Sequence, residues 1–199
     1  MIAIIDYGFG NLRSVQKALE SLGADARITD RAQDISDADH VVLPGVGAFR
    51  DAIARLRETG LDQAVIRSAA SGKPLLGICL GMQLMYEWSE ENGRYQGLGL
   101  LPGGITRIDA PGLKIPHMGW NTIRTRACPL FEAGQEQCVY FVHSYCAGEV
   151  RDDVTAAVCE YGQSFTAAAC QGNVMATQFH PEKSGDVGLN MLRRFAALS

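Results

Sequence analysis

Apolar and polar positions divide this chain into two halves with different rhythms. In the first half, short apolar runs alternate with segments whose apolar residues recur every three or four positions. Residues 2–6 read as a buried strand, and 11–22 as a helix with Leu12, Val15, Leu19 and Leu22 on one face. Further strands are expected at 24–29 and 40–43, helices at 49–57 and 61–71, then a strand over 73–78 and a helix over 82–87. That alternation predicts a parallel sheet flanked by helices. In the second half, residues 120–126, 137–145, 154–160, 164–171 and 174–178 are short, strand-like and separated by turn residues. They predict an antiparallel section or an extension that makes the sheet mixed. A last helix is expected over 185–198. The fold class is therefore α/β. No repeat, low-complexity stretch or linker breaks the pattern, and 199 residues suit a single domain over 1–199.

The junction between the strand at 73–78 and the helix at 82–87 carries the sharpest chemical signal. Gly77-Ile78-Cys79-Leu80-Gly81 has the form G-x-C-x-G, the cysteine version of a nucleophile elbow. Such a turn crowds the backbone, and glycines two before and two after the nucleophile relieve the crowding. Free amides at a helix start also favour a thiolate. A lone cysteine is more often structural, so the reading depends on a base elsewhere.

That base is found in Gln178-Phe179-His180-Pro181-Glu182-Lys183-Ser184. His180 and Glu182 are two residues apart, so in an extended segment they project to one side. Pro181 favours that extended conformation at His180. A carboxylate beside an imidazole fixes its tautomer and stabilises the imidazolium, the third-group role in a Cys-His-acid triad. The tripeptide alone is weak, but about a hundred residues after an elbow it is strong.

Composition removes several function classes. The chain is 47% hydrophobic and 20% charged, as expected for a soluble globular protein. Its net charge of −4 gives no electrostatic case for nucleic acid. No apolar stretch reaches the roughly 20 residues of a membrane span. The N-terminus enters a strand at once and lacks the features of a signal peptide. The six cysteines, at 79, 128, 138, 146, 159 and 170, form no C-x-x-C pair, and six thiols suit a reducing cytoplasm. Cys138, Cys159 and Cys170 are expected in the core. His143 and Cys146 suggest a metal pair, yet no second pair completes a site, so neither metal nor cofactor is expected.

Four further segments keep two readings each. Asp6-Tyr7-Gly8-Phe9-Gly10-Asn11 imitates a dinucleotide fingerprint, but Arg13 stands where its third glycine should be. It is a tight turn or a partner-contacting loop. Pro44-Gly45-Val46-Gly47 is a simple turn or, with the Leu80 amide, part of an oxyanion hole at the carboxyl edge of the sheet. Pro116-His117-Met118-Gly119-Trp120-Asn121 reads as a loop that either docks a partner or braces the second half through Trp120. Tyr140-Phe141-Val142-His143-Ser144-Tyr145 reads as a strand end, since His143 has no carboxylate two residues away.

Cys79, His180 and Glu182 in this order and setting resemble the class I, or triad, glutamine amidotransferases. The segments at 6–11, 44–47, 77–83, 116–121, 140–145 and 178–184 narrow the resemblance to the branch that serves imidazole glycerol phosphate synthase in histidine biosynthesis. The resemblance covers the chain nearly end to end. It implies a flavodoxin-like fold with a mixed central sheet, and a glutaminase that forms a cysteine thioester at Cys79. It further implies that Gly47 and Leu80 amides hold the oxyanion and that Gln83 positions glutamine. The ammonia would pass to a separate TIM-barrel cyclase subunit, with Asn11, Trp120 and Lys183 on the face that meets it. Two alternatives stay open: a glutaminase of pyridoxal phosphate or anthranilate synthesis, or a noncatalytic module of the same fold.

Overall fold

The computed structural model describes residues 1–199. Its first half alternates as expected: β1 (Ile2–Ile5), α1 (Leu12–Ser21), β2 (Ala26–Thr29), α2 (Ala32–Asp37), β3 (His40–Gly45), α3 (Phe49–Glu58), α4 (Leu61–Ala70), β4 (Leu75–Cys79) and α5 (Leu80–Met85). The second half holds β5 (Tyr86–Ser89), β6 (Tyr95–Gln96), β7 (Leu101–Arg107), β8 (His117–Thr125), β9 (Glu136–His143), β10 (Tyr145–Cys146), β11 (Thr155–Tyr161), β12 (Gln163–Gln171) and β13 (Val174–Thr177). A 3-10 turn (Pro181–Lys183) and α6 (Gly185–Ala196) complete the chain.

Nine strands form one mixed sheet in the order β2-β1-β3-β4-β13-β12-β11-β8-β9. The portion from β2 to β13 is parallel, and from β13 to β9 each pair is antiparallel. The inner parallel strands β1, β3 and β4 are buried along their whole length because both faces are covered, whereas the edge strand β2 exposes Arg27. On one face Ile4, Val42, Leu76 and Ile78 pack with Val15 and Leu19 of α1 and with Leu192 and Phe195 of α6. On the other, Ile5, Leu43 and Leu75 meet Phe49 and Leu56 of α3 and Val65 of α4. Each fully buried side chain of this size contributes about 1.5–3 kcal/mol of transfer free energy.

Several expectations are corrected. The helix expected over 82–87 ends at Met85, and Tyr86 enters a second sheet of order β10-β7-β5-β6. The apolar run Leu84-Met85-Tyr86 fits either element. Its conversion to strand depends on two distant glycines. A Cβ on Gly104 would lie 2.2 Å from the Trp88 ring, and one on Gly97 would lie 2.1 Å from the Tyr86 carbonyl. The short helix α2 has a single buried apolar residue, Ile35, so it leaves no periodic trace. The segment at 116–121 is not a loop. Met118 and Trp120 point out from β8 while His117 is buried, and a polar inward residue disguises the alternation. The strand at 40–43 continues through Pro44 to Gly45. Cys159 is buried as expected, but Cys138 is exposed, because Val139 and Phe141 take the inward positions of β9. Cys170 is only partly buried, near the turn that follows β12.

Candidate active site

Cys79 ends β4 with φ 54° and ψ −109°, a region L-residues rarely occupy. Holding it there costs on the order of 1–3 kcal/mol, which the surrounding packing must offset. The flanking glycines make the turn possible. A Cβ on Gly81 would lie 1.8 Å from the Leu43 carbonyl oxygen, and one on Gly77 would lie 2.8 Å from Met85 Sδ. Gly81→Ala should therefore destabilise the fold by about 3 kcal/mol or more, since backbone cannot yield as a flexible side chain can. Urea unfolding within 0.5 kcal/mol of the wild type would contradict this steric reading.

Strand order brings the distant base to the elbow. β13 lies beside β4 in parallel register, with Thr177 opposite Ile78, so the chain just beyond it passes Cys79. The His180 amide donates to the Tyr140 carbonyl at 3.0 Å, and the His180 carbonyl accepts from Ser184 Oγ at 2.6 Å. With the backbone so held, Nδ1 of His180 lies 2.8 Å from Glu182 Oε1, and their side chains are 2% and 1% exposed. Burial by itself pushes the His180 imidazole down. The Cys79 sulfur and the Glu182 carboxylate outweigh burial and lift it to about 9. Its Nε2 has no hydrogen bond of good geometry within the chain, although the sulfur is close enough to act on it. The sulfur itself faces the Val142 carbonyl at 3.9 Å and Gln178 Nε2 at 3.8 Å.

Cys79 and His180 open onto a cavity of about 390 Å³, also lined by Gly47, Leu80, Gln83 and Glu91. Gly47 has φ +106°. Gln83 Nε2 donates to the Tyr145 carbonyl at 2.9 Å and to Gln178 Oε1 at 3.0 Å. Sequence reasoning overlooked Glu91 and Gln178. Glu91 follows the unforeseen strand β5 and reaches the cavity from there, where its Oε2 accepts the Phe49 amide at 2.7 Å. Gln178 stood inside the triad segment, but nothing in the spacing told that it meets the sulfur.

The family model for class-I glutamine amidotransferases matches residues 3–198. The chain belongs to this family. Among its relatives, "Imidazole glycerol phosphate synthase subunit HisH" of Oceanobacillus iheyensis is 50% identical over 197 residues, covering 98% of both chains. The protein of the same name from Syntrophotalea carbinolica is 50% identical over 205 residues, again covering 98% of both. The fold is shared with solved structures at lower identity. A crystal structure of a glutamine amidotransferase superposes with TM-score 0.78 at 20% identity, covering 100% of both chains. A chain of PurLQS from Thermotoga maritima gives 0.77 at 21%, covering 98% of this chain and 96% of its own.

In this class-I glutamine amidotransferase the three expected docking residues are not among those lining the cavity. Trp120 is 57% exposed and stands opposite Tyr140 in the β8–β9 ladder, their rings edge to face at 6.1 Å. The Lys183 ammonium lies 5.9 Å from the same Tyr140 ring. Trp120 and Lys183 therefore share one patch, which Met118 extends with an exposed apolar side chain. Asn11 precedes α1, which packs against the 3-10 turn carrying Lys183, and its side chain makes no capping bond.

Proposed function

We propose that the chain is the glutaminase subunit of imidazole glycerol phosphate synthase. The observation that carries this reading is the meeting of Cys79 with a buried His180–Glu182 pair in a chain half identical to relatives of that name. Cys79 attacks the side-chain amide of glutamine, and the proton of the thiol resides on His180 as the sulfur attacks. Glu182 holds Nδ1, leaving Nε2 to pass that proton to the departing ammonia. His180 then takes a proton from water, which cleaves the glutamyl thioester and releases glutamate. Amides of Gly47 and Leu80 receive the oxyanion, and Gln83 orients the substrate. The Glu91 carboxylate gives the cavity a negative charge suited to an amino-acid ammonium group.

The partner is a TIM-barrel cyclase supplied by another chain, in a heterodimer housed in the cytoplasm. It would use the ammonia to close the imidazole ring of imidazole glycerol phosphate, releasing an aminoimidazole carboxamide ribotide. Coupled turnover with a histidine-pathway cyclase and its nucleotide substrate tests the assignment. Product formed from glutamine supports it, while glutamine hydrolysis stimulated only by a synthase of another pathway would refute it.

The exposed patch around Trp120 and Lys183, together with Asn11, is the proposed docking face. Trp120→Ala should weaken association by about 1–3 kcal/mol if the indole is an interface anchor. Titration calorimetry returning an unchanged affinity for the cyclase would remove Trp120 from that role.

A further inference from the structure

Outside the triad, two buried imidazoles bond to each other. His117 on β8 and His143 at the end of β9 are cross-strand partners, with His117 Nδ1 2.9 Å from His143 Nε2. They are 3% and 6% exposed. His117 stacks on Tyr161 at 4.0 Å and on Phe141 at 4.7 Å, and His143 meets Phe165 at 5.2 Å. Burial among these rings pushes His117 down to about 4 and His143 to about 3. Both are neutral at neutral pH, and a neutral imidazole has one donor and one acceptor.

The Tyr145 carbonyl, which only accepts, sets the direction of every bond around it. His143 Nδ1 lies 2.9 Å away and so carries the proton, which makes its Nε2 an acceptor. His117 Nδ1 must then donate to that nitrogen, leaving His117 Nε2 to accept from Asn121 Nδ2 at 3.2 Å. The other Asn121 hydrogen goes to the Glu160 carbonyl at 3.0 Å. On the opposite side, Gln83 Nε2 is the second donor to Tyr145 and gives its other hydrogen to Gln178 Oε1. Gln178 is thereby obliged to turn its NH₂ group toward the Cys79 sulfur at 3.8 Å.

We propose that His117 and His143 are positioning residues for the nucleophile: their bond to the Tyr145 carbonyl holds in place the acceptor that orients the Gln83 and Gln178 amides, so that an N–H, not a carbonyl, faces the sulfur. The proposal rests on the reading of Cys79 as a glutaminase nucleophile. An N–H there stabilises negative charge on sulfur, whereas a carbonyl repels it. Packing of aromatic rings would hold the two imidazoles in place without requiring either tautomer.

The two amide variants of His143 separate these roles. His143→Asn keeps a nitrogen donor near the Nδ1 position, whereas His143→Gln puts its amide near the Nε2 position and leaves Tyr145 without that donor. In the nucleotide-loaded complex with cyclase, His143→Gln should lose about tenfold or more in kcat for glutamine, about 1.4 kcal/mol of barrier, and His143→Asn should lose clearly less. Iodoacetamide alkylation of Cys79 in the free chain, followed by peptide mapping, should slow in the same order without needing turnover. Nitrogen-15 spectra of the wild type should show both rings neutral and protonated on Nδ1 at pH 7. An Nε2–H tautomer on His143, or equal effects of the two variants on both rates, would overturn the proposal. A wild-type complex that failed to hydrolyse glutamine would instead bring down the functional reading, and the spectra and alkylation order would still decide whether the network acts on the sulfur.

Discussion

Cys79→Ala in the complex with cyclase is expected to abolish product formation from glutamine and to leave formation from added ammonia intact. The division follows from where the chemistry sits. Under the proposed function the Cys79 sulfur attacks the amide, whereas ring closure would belong to the partner and need only free ammonia. Loss of a nucleophile in a triad removes about 10⁴-fold or more in turnover, because the remaining members cannot act without it. The substitution should spare the fold. Cys79 is buried, alanine removes one sulfur atom, and its backbone strain is held by packing around Gly77 and Gly81. Paired assays with glutamine and with ammonium salts settle the matter. Product from glutamine at near the wild-type rate would falsify the role of Cys79. Loss of both activities would point instead to a damaged interface.

The legible parts of this fold were those whose cause is local. β1, β3 and β4 are apolar on both faces, so they read as buried parallel strands whatever lies far away. The helices α1, α3 and α4 carry an apolar stripe that any helical projection reveals. The pairing of His180 with Glu182 and the turn at Cys79 were legible for a similar reason: an elbow needs its own glycines, and His180 and Glu182 are two residues apart. What escaped was decided across the sheet. Tyr86 and Trp88 are strand because Gly97 and Gly104 give them room, and those glycines resemble turn residues when read along the chain. His117 looked like part of a loop because its partners, His143, Tyr161 and Phe141, lie on other strands or across the register. Glu91 and Gln178 escaped likewise, since nothing in their spacing places Glu91 at the cavity or Gln178 beside the sulfur. Cys138 was misplaced because strand alternation tells which residues share a face, not which face is covered.

Glutamine hydrolysis is expected to rise at least about a hundredfold when the nucleotide-loaded cyclase docks. An uncoupled glutaminase would release ammonia with no acceptor waiting, and the segment at 44–47 offers a physical means of preventing that. Its first two residues are fixed. The Pro44 carbonyl accepts the Tyr7 hydroxyl at 3.0 Å, and Gly45 stands opposite Cys79 in the β3–β4 ladder, with no room for a Cβ beside Tyr7. Freedom to turn is therefore confined to the peptide joining Val46, which is 41% exposed, to Gly47, whose φ of +106° suits only glycine. Turning that peptide exchanges an amide for a carbonyl at the mouth of the cavity. An amide donor to the oxyanion is worth about 3–4 kcal/mol, or 10²–10³ in rate, whereas a carbonyl repels the same charge. The proposed docking face would have a route to this peptide. Phe9, two residues before Asn11, stacks on Tyr7 at 5.8 Å and would touch a Cβ placed on Gly47 at 3.4 Å. A partner biases the turn only if its contacts differ between the two arrangements, so docking without nucleotide should stimulate less than docking with it. Steady-state hydrolysis by the chain alone, with cyclase, and with cyclase plus nucleotide should rise in that order. Equal rates in all three would rule out the switch and leave the triad untouched.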